Sequence, residues 1–161
     1  MATLLTDRIA PLSTRTRDVP AIAAGGAVAG VVDLMYAIVV CTPRAPILVP
    51  QTIASGILGA RSYSGGAATA ALGVALHFLI ALSAAAVYYL LSRRFRFLID
   101  RAVAWGLIYG VAVYAFMHIV VLLLSAVPPL ATPLIQRCCE IVEHALGVGL
   151  PIALSVRRFS R

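Results

Sequence analysis

Four long apolar runs, separated by short polar or Pro- and Gly-rich stretches, dominate the chain. The first opens at Pro20 and reaches Cys41. The second runs from about Ala67 to Ser92 and the third from about Ala102 to Leu124. The fourth begins near Thr132-Pro133 and ends before Arg157-Arg158. Each run is about 20–25 residues long, the length of helix that crosses a hydrocarbon core of about 30 Å. The pattern therefore predicts an all-α fold, a four-transmembrane-helix bundle with helices at about 20–41, 67–92, 102–124 and 133–156. A polar tail (1–19) precedes this domain (20–157), and a short tail (158–161) follows it. Residues Thr42–Gly66 are rich in Pro and Gly, but Ile53/Ile57 and Ala54/Leu58 recur at i, i+4. That spacing predicts a short helix around Gln51–Gly59, too short to cross and placed in the outer interface. Thr132-Pro133 reads as a cap followed by proline in the first turn, and Gly147, Gly149 and Pro151 should bend the fourth helix.

Composition sharpens the membrane reading. Of the 161 residues, 61% are hydrophobic and 12% charged, about half the charge of an ordinary soluble domain. The first run is longer than the apolar stretch of a secretory signal and contains Asp33, so it reads as a retained helix. Ile38-Val39-Val40-Cys41 lacks the small residue that a lipoprotein site needs before its cysteine. The net charge is +7, with no lysine. A basic chain can signal a nucleic-acid partner, but here the arginines sit in small groups at the ends of apolar runs. Arg8, Arg15, Arg17, Arg93, Arg94, Arg96, Arg101, Arg157, Arg158 and Arg161 fall on one side, and Arg44, Arg61 and Arg137 on the other. The positive-inside rule puts the larger group, and both termini, in the cytoplasm, where the clusters would meet anionic lipid headgroups. The lysine-free, Ala- and Arg-rich composition fits a bacterial protein from GC-rich DNA.

The helices have small-residue faces and lipid faces. Gly26/Gly30 and Gly106/Gly110 have the spacing that lets helices approach closely, and Gly66, Ala70, Gly73 and Ala84 line one side of the second helix. This pattern predicts contacts within the bundle, and it equally permits a homo-oligomer. The ionisable residues share those faces. Asp33 follows Gly30, His77 follows Gly73, and Glu140, Glu143, His144 and Gly147 form one stripe on the fourth helix. His118 follows Gly110 and Tyr114. At about 1.5 Å per residue, Asp33 lies about 12 Å below the outer edge, His77 and Glu143 about 15 Å, His144 about 16 Å and Glu140 about 10 Å, with His118 nearer the surface. Each such group costs about 2.5–3.5 kcal/mol on insertion scales. They must therefore face one another, water or a ligand.

Three chemistries follow from this set. Asp33, Glu140 or Glu143 with the histidines could relay protons. His77, His144 and Glu140, as imidazole and carboxylate donors, could bind a divalent metal such as Zn, Mn or Fe. His77 and His144 could serve as axial ligands to haem, ranked last. Cys41, Cys138 and Cys139 read first as small hydrophobes and second as a disulfide from Cys41 to one of the pair. No phosphate-binding loop or catalytic triad stands out, so no enzyme class is assigned.

Five segments carry a resemblance: Ala-Gly-Val-Val-Asp-Leu (29–34), Gln-Thr-Ile-Ala-Ser-Gly-Ile-Leu-Gly (51–59), Leu-Gly-Val-Ala-Leu-His-Phe (72–78), Tyr-Gly-Val-Ala-Val-Tyr (109–114) and Gly-Leu-Pro-Ile-Ala-Leu (149–154). Together they resemble a group of small four-helix inner-membrane proteins of proteobacteria, over most of residues 21–156. The resemblance implies the four-helix fold and draws attention to Asp33, Gln51, His77 and His144. In that group an Asn is usual where this chain has His118. No activity comes with the resemblance. The sequence reading is thus a small transport or binding protein with a buried polar site for protons or a divalent cation. Its alternative is a non-catalytic accessory subunit bound to a membrane partner.

Overall fold

A computed structural model describes residues 15–126 and 132–160. Arg8, Arg161 and the 127–131 connection lie outside the described residues, as do the side chains of residues 15–17 and 123. The described residues are all helical in their regular structure. They form α1 (Arg15–Tyr36), α2 (Leu48–Leu58), α3 (Gly66–Arg94), α4 (Phe97–Asp100), α5 (Ala102–Phe116), α6 (Leu122–Leu124), α7 (Leu134–Glu143) and α8 (Leu150–Phe159). Three wider π-helical turns extend these elements: Ala37–Cys41 after α1, Met117–Val121 between α5 and α6, and His144–Gly149 between α7 and α8. Four continuous helices are long and apolar enough to cross a membrane: Asp18–Cys41, Gly66–Arg94, Ala102–Val121 and Leu134–Phe159.

The boundaries differ from the sequence reading in instructive ways. The first helix starts at Arg15 and passes through Pro20. Near a helix start the missing proline N–H forfeits few bonds, so Pro20 does not end the helix. The fourth helix starts at Leu134, with Pro133 as its extended N-cap residue rather than its first helical residue. Where a bend was expected, Gly147 and Gly149 lie in the His144–Gly149 π turn and Pro151 in the first turn of α8. An extra residue per turn there lets the backbone widen without a break.

The first helix lies between the second and the fourth, and the third packs along the fourth. Glycines set these contacts. A Cβ on Gly26 would sit 2.8 Å from the Leu82 side chain, and one on Gly30 2.8 Å from the Phe78 ring. On the other seam, a Cβ on Gly110 would overlap the His144 carbonyl oxygen, and one on Gly149 would overlap the Gly106 carbonyl oxygen. The third and fourth helices therefore meet backbone to backbone, the close approach that small residues permit. The second and third helices are joined instead by side chains. Tyr109 donates to the Ala84 carbonyl at 2.7 Å, and its ring meets Tyr88 edge-on at 4.9 Å.

The two ends of the bundle are built differently. At the arginine-rich end Ala85, Tyr88, Leu98, Ala102, Ile152, Ala153 and Val156 form a dry core. Tyr88 donates to the Leu98 carbonyl at 2.9 Å, and Tyr89 donates to Asp18 while receiving Arg93 at 3.3 Å. At the opposite end α2 lies across α3. Gly73 accepts the backbone of Pro50 where any side chain would collide, and the buried Gln51 donates to the Gly66 carbonyl at 3.1 Å. Here the small face foreseen on the second helix divides. Gly73 seats α2, whereas Gly66, with φ +55°, starts α3 and receives Gln51 at its carbonyl, and a Cβ there would meet nothing within 4 Å.

Candidate cation site

Beneath α2 the bundle encloses a cavity of about 80 Å³, room for a few waters. Asp33 and Gly30 of the first helix, His77 of the second, Met117 of the third and His144 of the fourth line it, and Ile53 of α2 covers it. Asp33 reaches the cavity because Gly30, one turn earlier, brings the first and second helices together. His77 Nε2 lies 2.8 Å from the Gly30 carbonyl and 3.9 Å from Asp33 Oδ2. His144 Nδ1 lies 4.0 Å from Asp33 Oδ1, 2.9 Å from Glu143 Oε2 and 3.0 Å from the Glu140 carbonyl. Oxygens of Asp33 and Glu143 and a ring nitrogen of His144 all fall within 4.8 Å of one another.

The protonation pattern follows from the partners. A carbonyl oxygen only accepts, so the nitrogens facing Gly30 and Glu140 carry hydrogens: Nε2–H on His77 and Nδ1–H on His144. Those two N–H groups are the donors at hand for two carboxyl groups. They do not suffice. Glu143 is nine-tenths buried, and neither of its carboxyl oxygens has a well-directed hydrogen bond. The 2.9 Å approach of His144 is too poorly aimed to satisfy it, because that N–H points to the Glu140 carbonyl. Two negative charges no more than 4.8 Å apart repel by about 3.5 kcal/mol or more at an effective dielectric of about 20. The pair therefore calls for positive charge beside it: a protonated imidazole of His144 or His77, a proton shared by the carboxyls, or a metal ion.

Glu143 and Asp33 face different spaces. Asp33 lines the interior cavity, whereas Glu143 lines an open groove of about 600 Å³ between the first and fourth helices, with Tyr36, Cys138 and Cys139 on its walls. Of the residues singled out from sequence, Asp33, His77, Glu143 and His144 thus come together. Glu140 and His118 do not join them. They form a second pair nearer the helix end, with His118 Nε2 3.8 Å from Glu140 Oε2. Helical geometry explains the split: Glu140 is one turn beyond His144, so its carbonyl meets the His144 ring while its carboxyl points outward. Gln136, not foreseen, donates to Glu140 Oε1 at 2.9 Å. Its i, i+4 spacing from Glu140 was the available signal.

The donor set fits an ion better than a haem. A cavity of about 80 Å³ holds no porphyrin, since pockets for ligands even of drug size run to about 300–1,000 Å³. For a metal, Asp33 and Glu143 would supply hard oxygen donors, with the two imidazole N–H groups in an outer layer orienting them. His77 and Glu140, candidates for ligands by sequence, do not present a free donor atom to this centre. All three cysteines are free and exposed, so the Cys41 pairing is not formed here.

Comparisons with protein-family models, curated proteins and solved structures find no match for this chain.

Proposed function

We propose that this chain is a four-span protein of a bacterial inner membrane, with both termini in the cytoplasm, and that Asp33, Glu143, His144 and His77 form a cation centre within the membrane. Its role is to bind or pass a cation, a proton or a divalent metal ion. One observation carries the reading: the carboxyl of Glu143, buried and without a well-directed donor, lies against that of Asp33. A polar group left so in a low-dielectric setting costs about 1–3 kcal/mol, and more when charged. A purely structural cluster would be expected to pair its donors with its acceptors. The arginine distribution supports the orientation, and the resemblance to small inner-membrane proteins supports the compartment.

Elemental analysis and Mn²⁺ and Zn²⁺ titration of the full chain in phosphatidylcholine nanodiscs test the function. One tight metal equivalent, lost in Asp33→Asn and in Glu143→Gln, would assign a divalent ion. No metal, but proton exchange at these carboxyls, would assign a proton. Absence of both would reject the centre. Orientation has its own test. Reporter fusions after Arg96 and at the C-terminus should read cytoplasmic, and fusions within 60–65 should read outside. A C-terminus found outside would overturn the four-span arrangement.

A further inference from the structure

The second pair, His118 and Glu140, has features that the inner centre lacks. His118 Nδ1 lies 3.0 Å from the Tyr114 carbonyl. That oxygen only accepts, so Nδ1 carries the hydrogen, and in the neutral ring Nε2 presents a bare lone pair. Nε2 faces Glu140 Oε2 at 3.8 Å. Two donor atoms at this separation leave room for an ion about 2.0–2.2 Å from each. Both donors are also held in place. A backbone carbonyl fixes the imidazole tautomer and orientation, and Gln136 fixes the carboxylate through its other oxygen at 2.9 Å. Such outer-layer bonds are what orient metal ligands. The His118 ring further lies over Tyr114, with centroids 4.0 Å apart. The His118 side chain is 38% exposed, so a donor from outside the chain can complete the coordination. The neighbouring cation, Arg137, donates to Thr132 at 2.9 Å.

We propose that His118 Nε2 and Glu140 Oε2 form an outward-facing site for a divalent transition-metal ion, set in front of the inner centre as its loading station. The two sites are physically joined. The His144 ring leans on the Glu140 carbonyl, and Tyr114 touches both imidazoles, over His118 and edge-on to His144 at 5.4 Å. Both histidines also open π-helical turns or lie within one. As a binding site the pair stands on its own geometry. Its loading role rests on the proposed cation centre.

Zn²⁺ is the probe, with the full chain in phosphatidylcholine nanodiscs. In an Asp33→Asn/Glu143→Gln background, which disables the inner centre, one Zn²⁺ equivalent should remain. His118→Asn or Glu140→Gln should then weaken it at least tenfold. Glu140→Gln keeps a group that Gln136 can bond, so the fold is retained, and the thermal midpoint checks this. The chain has three histidines, so ¹⁵N resonances give a second readout: Zn²⁺ should shift Nε2 of His118. No Zn²⁺ binding in that background would overturn the outer site. So would affinity unchanged by both single variants, or shifts confined to His77 and His144. A wild-type chain that binds only this one equivalent, unchanged by Asp33→Asn/Glu143→Gln and with no proton exchange at those carboxyls, would instead count against the cation centre.

Discussion

Replacing Gly110 by leucine should force the third and fourth helices apart and lower the thermal midpoint by about 6–12 °C. The Cβ alone would overlap the carbonyl oxygen of His144 and crowd the Cα of Ala145. These are backbone atoms, so no side-chain rotation relieves the clash. Overpacking a close interface costs typically 1–3 kcal/mol and occasionally more. About 3 kcal/mol corresponds to the stated shift for a chain of this size. The damage should also be local to the site, because the obstructing atom belongs to His144 itself. Gly56→Ala is the control. Its nearest neighbour would be Ser125 Oγ at an ordinary 3.5 Å, so the change should be neutral or slightly stabilising. A Gly110→Leu protein with a midpoint within 2 °C of wild type, roughly half a kcal/mol, would contradict the backbone-to-backbone seam.

Asp33 separates function from architecture. Asp33→Asn keeps size and hydrogen-bonding capacity but removes the negative charge that would hold a cation beside Glu143. Cation affinity should fall at least about 100-fold, near 2.7 kcal/mol, while the protein inserts and melts normally. Asp33→Leu should do more. It leaves His77 facing an apolar group and Glu143 without its neighbour, and truncating one member of a buried charged set costs about 3–5 kcal/mol. A structural role alone predicts that Asp33→Asn is silent in every assay. Equal cation binding in wild type and Asp33→Asn would settle the matter against a functional centre.

The four long helices were legible because a run of about 20 apolar residues has few other readings. Their glycine seams were legible from spacing alone. Gly26 and Gly30 do meet the second helix, and Gly106 and Gly110 the fourth. Depth along each helix placed Asp33, His77, Glu140, Glu143 and His144 in one slab, and the structure brings all but Glu140 together. Depth could not give azimuth. Glu140 and Glu143 share one face, only about 60° apart around the axis and about 4.5 Å along it, and of the two only Glu143 reaches Asp33. The sequence reading put His118 nearer the surface than the others, but its pairing with Glu140 depends on how closely the third and fourth helices approach. The contacts among Asp18, Tyr89 and Arg93 at the arginine-rich end were hidden for another reason: a polar residue at a helix end costs little, so nothing in the sequence demanded a partner.

The central claim is that Asp33 and Glu143 jointly hold a cation. Infrared difference spectroscopy of the full chain in nanodiscs tests it most directly, comparing the cation-free state with acid-loaded and Mn²⁺-loaded states. Loading should produce a carboxyl band change that survives in Glu140→Gln and that, in this Glu140→Gln background, is lost on adding either Asp33→Asn or Glu143→Gln. A C=O stretch of protonated carboxyl would identify the proton, and a shift of the carboxylate bands the metal. A spectrum unchanged by loading, or one whose changes persist in both variants, would contradict the account.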